Sequence, residues 1–592
     1  MSIPLIFGPG AQRRRDYITI PTRLSDPPNP FQSPFYPQVK LSTPSSPQIT
    51  VSTTRRTVTS AIASKYSLSA DPSAWGVANL TPDYREPDDR LHYPDWRRDR
   101  GKDMGGSIAT CRGLTNLGCV GLLSVLIVAL FAGYPIATAL TKTAQSRNGG
   151  FNLGGINGTG QVPMMVGNWG PIDPDTPEDV RIKTGWTSEG EFTLVFSDEF
   201  NTEYRTFYPG DDPFWEAVDL HYWGTSNLEW YDPEAITTKD GALRITLSQK
   251  PDHGLDYMGG MLTTWNKFCF TGGIVEVAVQ LPGASDISGL WPAIWSMGNL
   301  GRAGYGATLD GLWPYSYDSC DVGTMPNQTR NGLPLAATQD GDTGFGGALS
   351  YQSGQRLSRC TCPGSVHPGP MHADGTYVGR AAPEIDLFEG QIDATLGGQV
   401  SQSSYEWFNA TGNNMQVYDP EISAMNGYKG GVYQQATSIV TQTNHACYEL
   451  EAGCFTVYGF EYVPGFDDAY ITWINDNKKS WTLRQGGLAE DPLVEIGPRP
   501  IPQEPMYLIM NLGMSKNFGE VDLDRLTFPT TMSIDYIRVY QPSDKINIGC
   551  DPPGFPTSAY IEQFYEAYTN PNLTTWVDDY KQVVPGNRRV AR

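Results

Sequence analysis

At 592 residues, with 64 glycines, 46 prolines and only 18% charged residues, the chain has room for one domain of more than about 250 residues plus appendages. Its composition favours a loop-rich all-β protein over a helical one. The net charge of −22 is uneven: residues 1–112 hold 15 basic and 10 acidic side chains, the remainder 27 and 54. Such an acidic C-terminal part repels nucleic acid, and a neutral ligand such as a glycan suits it better.

Residues 1 to about 105 are rich in Pro, Ser, Thr and Arg without apolar periodicity, a composition that buries too little apolar surface to offset chain entropy. Residues 1–112 are therefore expected to form a disordered tail. From Gly113 to Thr141 there is no Asp, Glu, Lys, Arg or His, and about 20 helical residues suffice to cross a bilayer. This segment reads as one transmembrane signal anchor. Arg97, Arg98, Arg100, Lys102 and Arg112 precede it, while only Lys142 and Arg147 closely follow. The positive-inside bias leaves the tail cytoplasmic and exports the rest.

Residues 142–189, Gly- and Asn-rich at first, read as a lumenal linker. Sequons at Asn157, Asn327, Asn409 and Asn572 then lie where glycosylation occurs. Seven cysteines also follow the span: Cys269, Cys320, Cys360, Cys362, Cys447, Cys454 and Cys550. Disulfides are expected in that compartment, and the odd number leaves at least one thiol over or pairing between chains.

Between about 190 and 541, "FTLVFSDEF", "ALRITLSQ", "GGIVEVAVQL", "CFTVYGFEYVP", "AYITWIND", "MYLIMNLGM" and "TMSIDYIRVYQ" have strand length and β-branched or aromatic enrichment. Many short strands imply a β-sandwich or jelly roll. Residues 542–592 are Pro-rich, with room for one short helix, and are expected to pack on the sandwich.

Within this region "APEIDLFEG" carries Glu384, Asp386 and Glu389 in an otherwise apolar run. In a regular strand Glu384 and Asp386 share a face and Glu389 points away. A one-residue bulge between Asp386 and Glu389 would bring all three together. Two carboxyls so placed suit retaining glycoside hydrolysis, with Glu384 as nucleophile, Glu389 as acid and then base, and Asp386 tuning Glu384. A solvated strand face or an incidental calcium site would use the same residues.

The Glu-x-Asp-x-x-Glu spacing resembles the signature strand of glycoside hydrolase family 16. "GLWPAIWSMG" (289–298) is similar to that family's partner strand, whose tryptophans, here Trp291 and Trp295, line a glycan cleft. "FSDEFN", "MYLIMNLGM" with Asn511, and "IDYIRVYQ" resemble its opening, late and closing strands, in order. The resemblance implies an all-β, concanavalin-like sandwich or jelly roll over 190–541. The anchor, together with "GGMLTTWNKFCFTGG", "DGLWPYSYDSCDVGT" and "INIGCDPPGFPTSAYI", resembles the fungal β-1,6-glucan synthesis-associated membrane proteins. That likeness implies β-glucan (β-1,6 and/or β-1,3) as partner and a place in cell-wall assembly, in the secretory pathway and at the plasma membrane.

Residues 299–383 separate the two signature strands, far beyond ordinary loop length. With Cys320, Cys360 and Cys362 they are expected to form a disulfide-braced insertion over the cleft. The chain ends without a terminal cysteine, so any partner for Cys550 must come from elsewhere.

Aromatic rings suit the apolar faces of sugars. Candidate sugar contacts are Trp291, Trp295 and Trp407, with Asn227, Glu229, Gln402 and Asn511 as polar ones. No zinc spacing, His-Glu-x-x-His or Gly-x-Ser-x-Gly motif occurs. No cofactor is required by this reading, though the family resemblance leaves room for a structural calcium. The expectation is a retaining glycosidase or transglycosylase. The rival is a non-catalytic glucan-binding scaffold or chaperone.

Overall fold

The computed structural model describes residues 97, 110–134, 170–393, 397–404 and 409–590. Most of the expected tail, the first part of the linker, Asn157 and Trp407 lie outside the described residues. The described residues fall into two units, 97 and 110–134 in one and 170–590 in the other.

In the first unit an α-helix, Cys111–Val128, runs into a π-helical turn, Ala129–Gly133. Its stretch Leu114–Gly133 has a mean hydropathy of 2.3 over 20 residues, long and apolar enough to cross a membrane. The hydroxyls of Thr115 and Ser124 donate to the carbonyls of Cys111 and Val120, one turn back. Both polar groups are thus satisfied within the helix, as an apolar surrounding requires.

The second unit is a β-sandwich of two ten-stranded sheets. One sheet runs in the order 182–184, 191–198, 530–542, 273–280, 456–463, 470–475, 478–484 and 415–417. The other runs 423–425, 437–442, 397–404, 384–393, 291–298, 506–513, 257–263, 229–231 and 220–221. Ile294, Ile385, Phe388, Leu508 and Met510 of the second sheet meet Val275, Val277, Phe460, Ile471 and Val539 of the first in one buried core.

Strand Met506–Gly513 is buried at every position. Its even residues Leu508, Met510 and Leu512 join the core between the sheets, whereas Tyr507 and Ile509 join a second cluster on the other face. That second cluster draws Leu300, Tyr305, Leu312 and Leu357 from the insertion and Tyr560, Phe564, Tyr568 and Trp576 from the C-terminal extension. The strand therefore reads as continuously apolar because appendages cover its outer face.

Three arginines tie these layers together. Arg380, fully buried, makes two bonds to Glu504 (2.8 and 2.7 Å) and donates to the carbonyls of Gly369 and Pro556. Arg302 binds Glu216 and the carbonyl of Tyr568, each at 2.9 Å. The Arg356 guanidinium lies 3.8 Å over the Trp576 ring.

Cysteine pairing resolves as Cys269–Cys550, Cys320–Cys360 and Cys447–Cys454. Cys362 is the thiol left over after the span. Cys550, whose partner the sequence left open, thus pins the extension to the sandwich.

Two expectations need correction. The stretch from 170 to 189 is part of the sandwich rather than linker. Ile182–Thr184 pairs with the first long strand, the Glu199 amide donates to Asp173, and Trp186 donates to Glu276 and Glu461. The extension forms two short helices, Ser558–Gln563 and Tyr565–Thr569, rather than one.

Because Cys269–Cys550 closes a loop of 281 residues, replacing both cysteines by serine is expected to cost about 2–5 kcal/mol of stability. A lower melting temperature and faster proteolysis of the extension would show it; an unchanged melt would mean the apolar contacts alone hold the extension.

Candidate active site

Strand Glu384–Asp393 pairs antiparallel with Trp291–Gly298. Met297 faces Glu384, Ser296 faces Ile385 and Trp295 faces Asp386, but Ile294 then faces Phe388 and Ala293 faces Glu389. Leu387 is the extra residue, and the register with Gly397–Ser404 on the other side shifts as well. This is a β-bulge, and it places Glu389 on the face that carries Glu384 and Asp386. The opposite face sends Ile385, Leu387 and Phe388 into the core. The indole N–H of Trp473, reaching across from the other sheet, donates to the carbonyl of Asp386 at 2.7 Å.

Glu384 and Glu389 stay partly exposed, while Asp386 is buried. Glu384 accepts hydrogen bonds from the Trp313 indole and from Asp386. Glu389 accepts from the Trp291 indole at 3.2 Å. Burial, then the charge of Glu384, pushes the Glu389 carboxyl up to about 8, against the pull of the Trp291 bond. Burial raises Glu384 too, and its bonds to Trp313 and Asp386 work in the opposite direction. The surroundings thus favour a proton on Glu389.

The other candidates divide. Trp291 is half-buried and stacks on Phe518, with centroids 4.0 Å apart and planes within 2°. Trp295 is 7% exposed and donates to Asn511 at 2.7 Å. Asn511 in turn donates to the Tyr231 hydroxyl at 3.2 Å, as does Asn227 at 3.1 Å.

Asn227 also donates to Glu229 at 2.6 Å, and the Met514 amide donates to the other oxygen of that carboxylate at 2.9 Å. Glu229 has no exposed surface and Asn227 is 4% exposed. These two are therefore not cleft contacts, as expected from sequence, but a buried polar support behind Trp295. Burial raises the Glu229 carboxyl to about 7. Gly513 is required here, because a Cβ would sit 2.2 Å from a Glu229 oxygen. Gln402 lies in strand Gly397–Ser404, whose side chains are outside the described residues, as is Trp407.

Sequence reasoning missed three neighbours. Trp313 comes from the insertion, within a quoted motif but with no role attached. Tyr222 is raised well above the usual phenol range by burial and then by Glu384, Glu389 and Asp386. Tyr428, in a connection between short strands, feels Glu389 and Asp342 after burial and its bond from Gln434. Nothing in local spacing links these three to the carboxylates.

Asn327, Asn409 and Asn572 are exposed. Among the described residues no three His, Cys, Asp or Glu side chains gather as a metal would need. An open recess of about 470 Å³ between the insertion and residues 431–435 is lined by Tyr315, Tyr317, Gln352 and Gln435, and by none of the three carboxylates.

Comparison with known proteins matches residues 78–591 to the model of the family described as "Beta-glucan synthesis-associated protein SKN1/KRE6/Sbg1". The chain is 41% identical over 514 residues to the beta-glucan synthesis-associated protein SKN1 of Candida albicans, covering 84% of this chain and 66% of that protein. It is 39% identical over 518 residues to KRE6 of Saccharomyces cerevisiae, covering 84% and 68%. The chain thus spans about two thirds of the length of these relatives. A shorter match, 31% over 179 residues, is to the endo-1,3-1,4-beta-glycanase EglC of Rhizobium meliloti, covering 26% of this chain and 33% of that one. The laminarinase catalytic domain from Thermotoga maritima aligns over 59% of this chain and 98% of its own, at 20% identity and a TM-score of 0.33. By the extent of the family match and the identity to these relatives, the chain belongs to the SKN1/KRE6/Sbg1 family of beta-glucan synthesis-associated proteins.

Proposed function

We propose that the protein is a membrane-anchored retaining glycosidase or transglycosylase acting on β-glucan during fungal cell-wall assembly. The observation that carries this reading is the bulge at Leu387, which sets Glu384 and Glu389 on one face with the proton favoured on Glu389. Glu384 attacks the anomeric carbon as Glu389 protonates the departing oxygen, leaving a covalent glycosyl-enzyme. A sugar hydroxyl, or water, then gives its proton to Glu389 and displaces Glu384. Transfer is favoured over hydrolysis where an acceptor glucan fills the cleft.

Membership of a glucan-synthesis family agrees with building rather than degradation. The apolar helix and the flanking charges support a reading with the sandwich on the lumenal side of the secretory pathway or outside the plasma membrane. Asn327, Asn409 and Asn572 are then accessible glycosylation sites.

One observation favours a non-catalytic glucan-binding scaffold: an insertion side chain, Trp313, already engages Glu384. The full-length chain in detergent, incubated with β-1,3- and β-1,6-linked glucan oligosaccharides, separates the readings. Longer products mean transfer and shorter ones hydrolysis, with the β anomer retained in both. Binding without turnover at any pH would establish the scaffold. Glu384→Gln is expected to abolish turnover, and Glu389→Gln to lower kcat by about 10²–10⁴-fold.

Glu389 must hold its proton to act as acid, so activity is present below its pKa and declines as pH rises through about 8. Trp291→Phe removes a bond that favours the ionised form. The alkaline limb of the pH–rate profile should therefore move to higher pH, as rate measurements between pH 4 and 10 would show.

A further inference from the structure

The insertion leaves the sheet at Asn299 and returns at Pro383, so its two ends flank the strand position of Glu384. Its neck is closed by the Gly298 amide donating to Pro383 at 2.8 Å, and Gly298 has no room for a Cβ, which would lie 2.7 Å from that proline.

Trp313 is held on several sides. Its amide donates to Thr308 at 2.9 Å, and the Ala382 amide donates to Leu312, the residue before it, at 3.2 Å. Arg356 donates to the carbonyls of Ala307, Leu309 and Asp310. The Asp310 carboxylate accepts from the Trp576 amide of the C-terminal extension at 2.7 Å. An indole fixed this way and donating to Glu384 Oε2 is not a surface side chain resting on a carboxylate.

Among the described residues, the titratable groups that face Glu384 are Asp386 and Glu389 on its own strand, Tyr222 near the 220–231 strand pair, and Tyr507 on strand Met506–Gly513. All are acids. Ionised Glu384 therefore relies on neutral hydrogen-bond donors, and Trp313 supplies one from outside the sandwich.

We propose that Trp313 is a positioning residue that keeps Glu384 ionised and aimed for attack, making the insertion part of the reaction machinery. This inference rests on the proposed function. In the first step a lone pair of one Glu384 oxygen forms the bond to the anomeric carbon. The bond from that carbon to the leaving oxygen breaks, and this oxygen takes the proton of Glu389. The other Glu384 oxygen becomes the ester carbonyl and remains an acceptor for the indole. In the second step the acceptor hydroxyl passes its proton to Glu389 and its oxygen displaces Glu384, which departs as carboxylate into the same hydrogen bond.

The test is the pH–rate profile of the full-length chain in detergent on a β-glucan oligosaccharide, for wild type and Trp313→Phe. Loss of a donor to the ionised form raises the Glu384 pKa, so the acid limb should move up by about one to two pH units. The alkaline limb, set by Glu389, should stay in place. A folded variant whose acid limb does not move, or whose rate falls by the same factor at every pH, would overturn the proposal.

Should Trp313→Phe melt early, benzothienylalanine at position 313 keeps the ring shape without the N–H, and its profile decides by the same criterion. Where wild type shows no turnover, the midpoint is read from the pH dependence of inactivation by an epoxyalkyl β-glucoside, which ionised Glu384 opens. Turnover surviving in Glu384→Gln would refute the proposed function itself, a result distinct from an unmoved acid limb.

Discussion

A single surplus residue governs the candidate site. The register against Trp291–Gly298 skips Leu387, so the strand turns over once and three acidic side chains meet on one side of the sheet. Such a kink disturbs the ladder in a core that water does not reach. The Trp473 indole, itself stacked on Trp481 at 3.9 Å, is bonded to the carbonyl of Asp386 at that point. The opposite sheet thus stabilises the irregularity, and the aromatic pair links the sandwich core to the geometry of the carboxylates.

Part of the outer face of that sheet is covered, beside the partly exposed Glu384 and Glu389. The insertion and the C-terminal extension build their own apolar cluster against it, with Arg302, Arg356 and Arg380 bonded among them. Arg380 and Glu504 are both buried and meet through two hydrogen bonds, so neither charge is left unpaired in a poorly solvated place. The wall beside Glu384 is consequently a packed structure with its own core, in contrast to a loose loop, and its side chains take part in the local electrostatics.

What was readable in the sequence follows from periodicity. Alternation in segments such as Thr456–Val463 and Glu191–Asp198 announced strands, and three carboxylates at spacings of two and three required a bulge if they were to act together. Contacts distant in sequence were not readable. Asn227 and Glu229 carry polar side chains of the kind that bind sugars, yet both are buried and bonded to each other, with Asn227 also donating to Tyr231. Trp313 lies 71 residues from Glu384, in a segment of loops and short helical turns, so no local pattern could join them. The segment 170–189 looked like spacer because its anchors, Asp173 and Trp186, find their partners only after the sheet has formed.

The extension also imposes an order of events on biosynthesis. Residues 586–588 bond to Cys360 and Cys362 of the insertion, and Trp576 to Asp310, although this part of the chain emerges about 200 residues after the insertion ends. At roughly 5–20 residues per second the delay is about 10–40 s. During that interval the nascent insertion lacks its outer supports, so the wall beside Glu384 is completed only once the extension has emerged. A chain shortened near its terminus would carry every acidic side chain of the site and still lack the brace that seats the wall beside them.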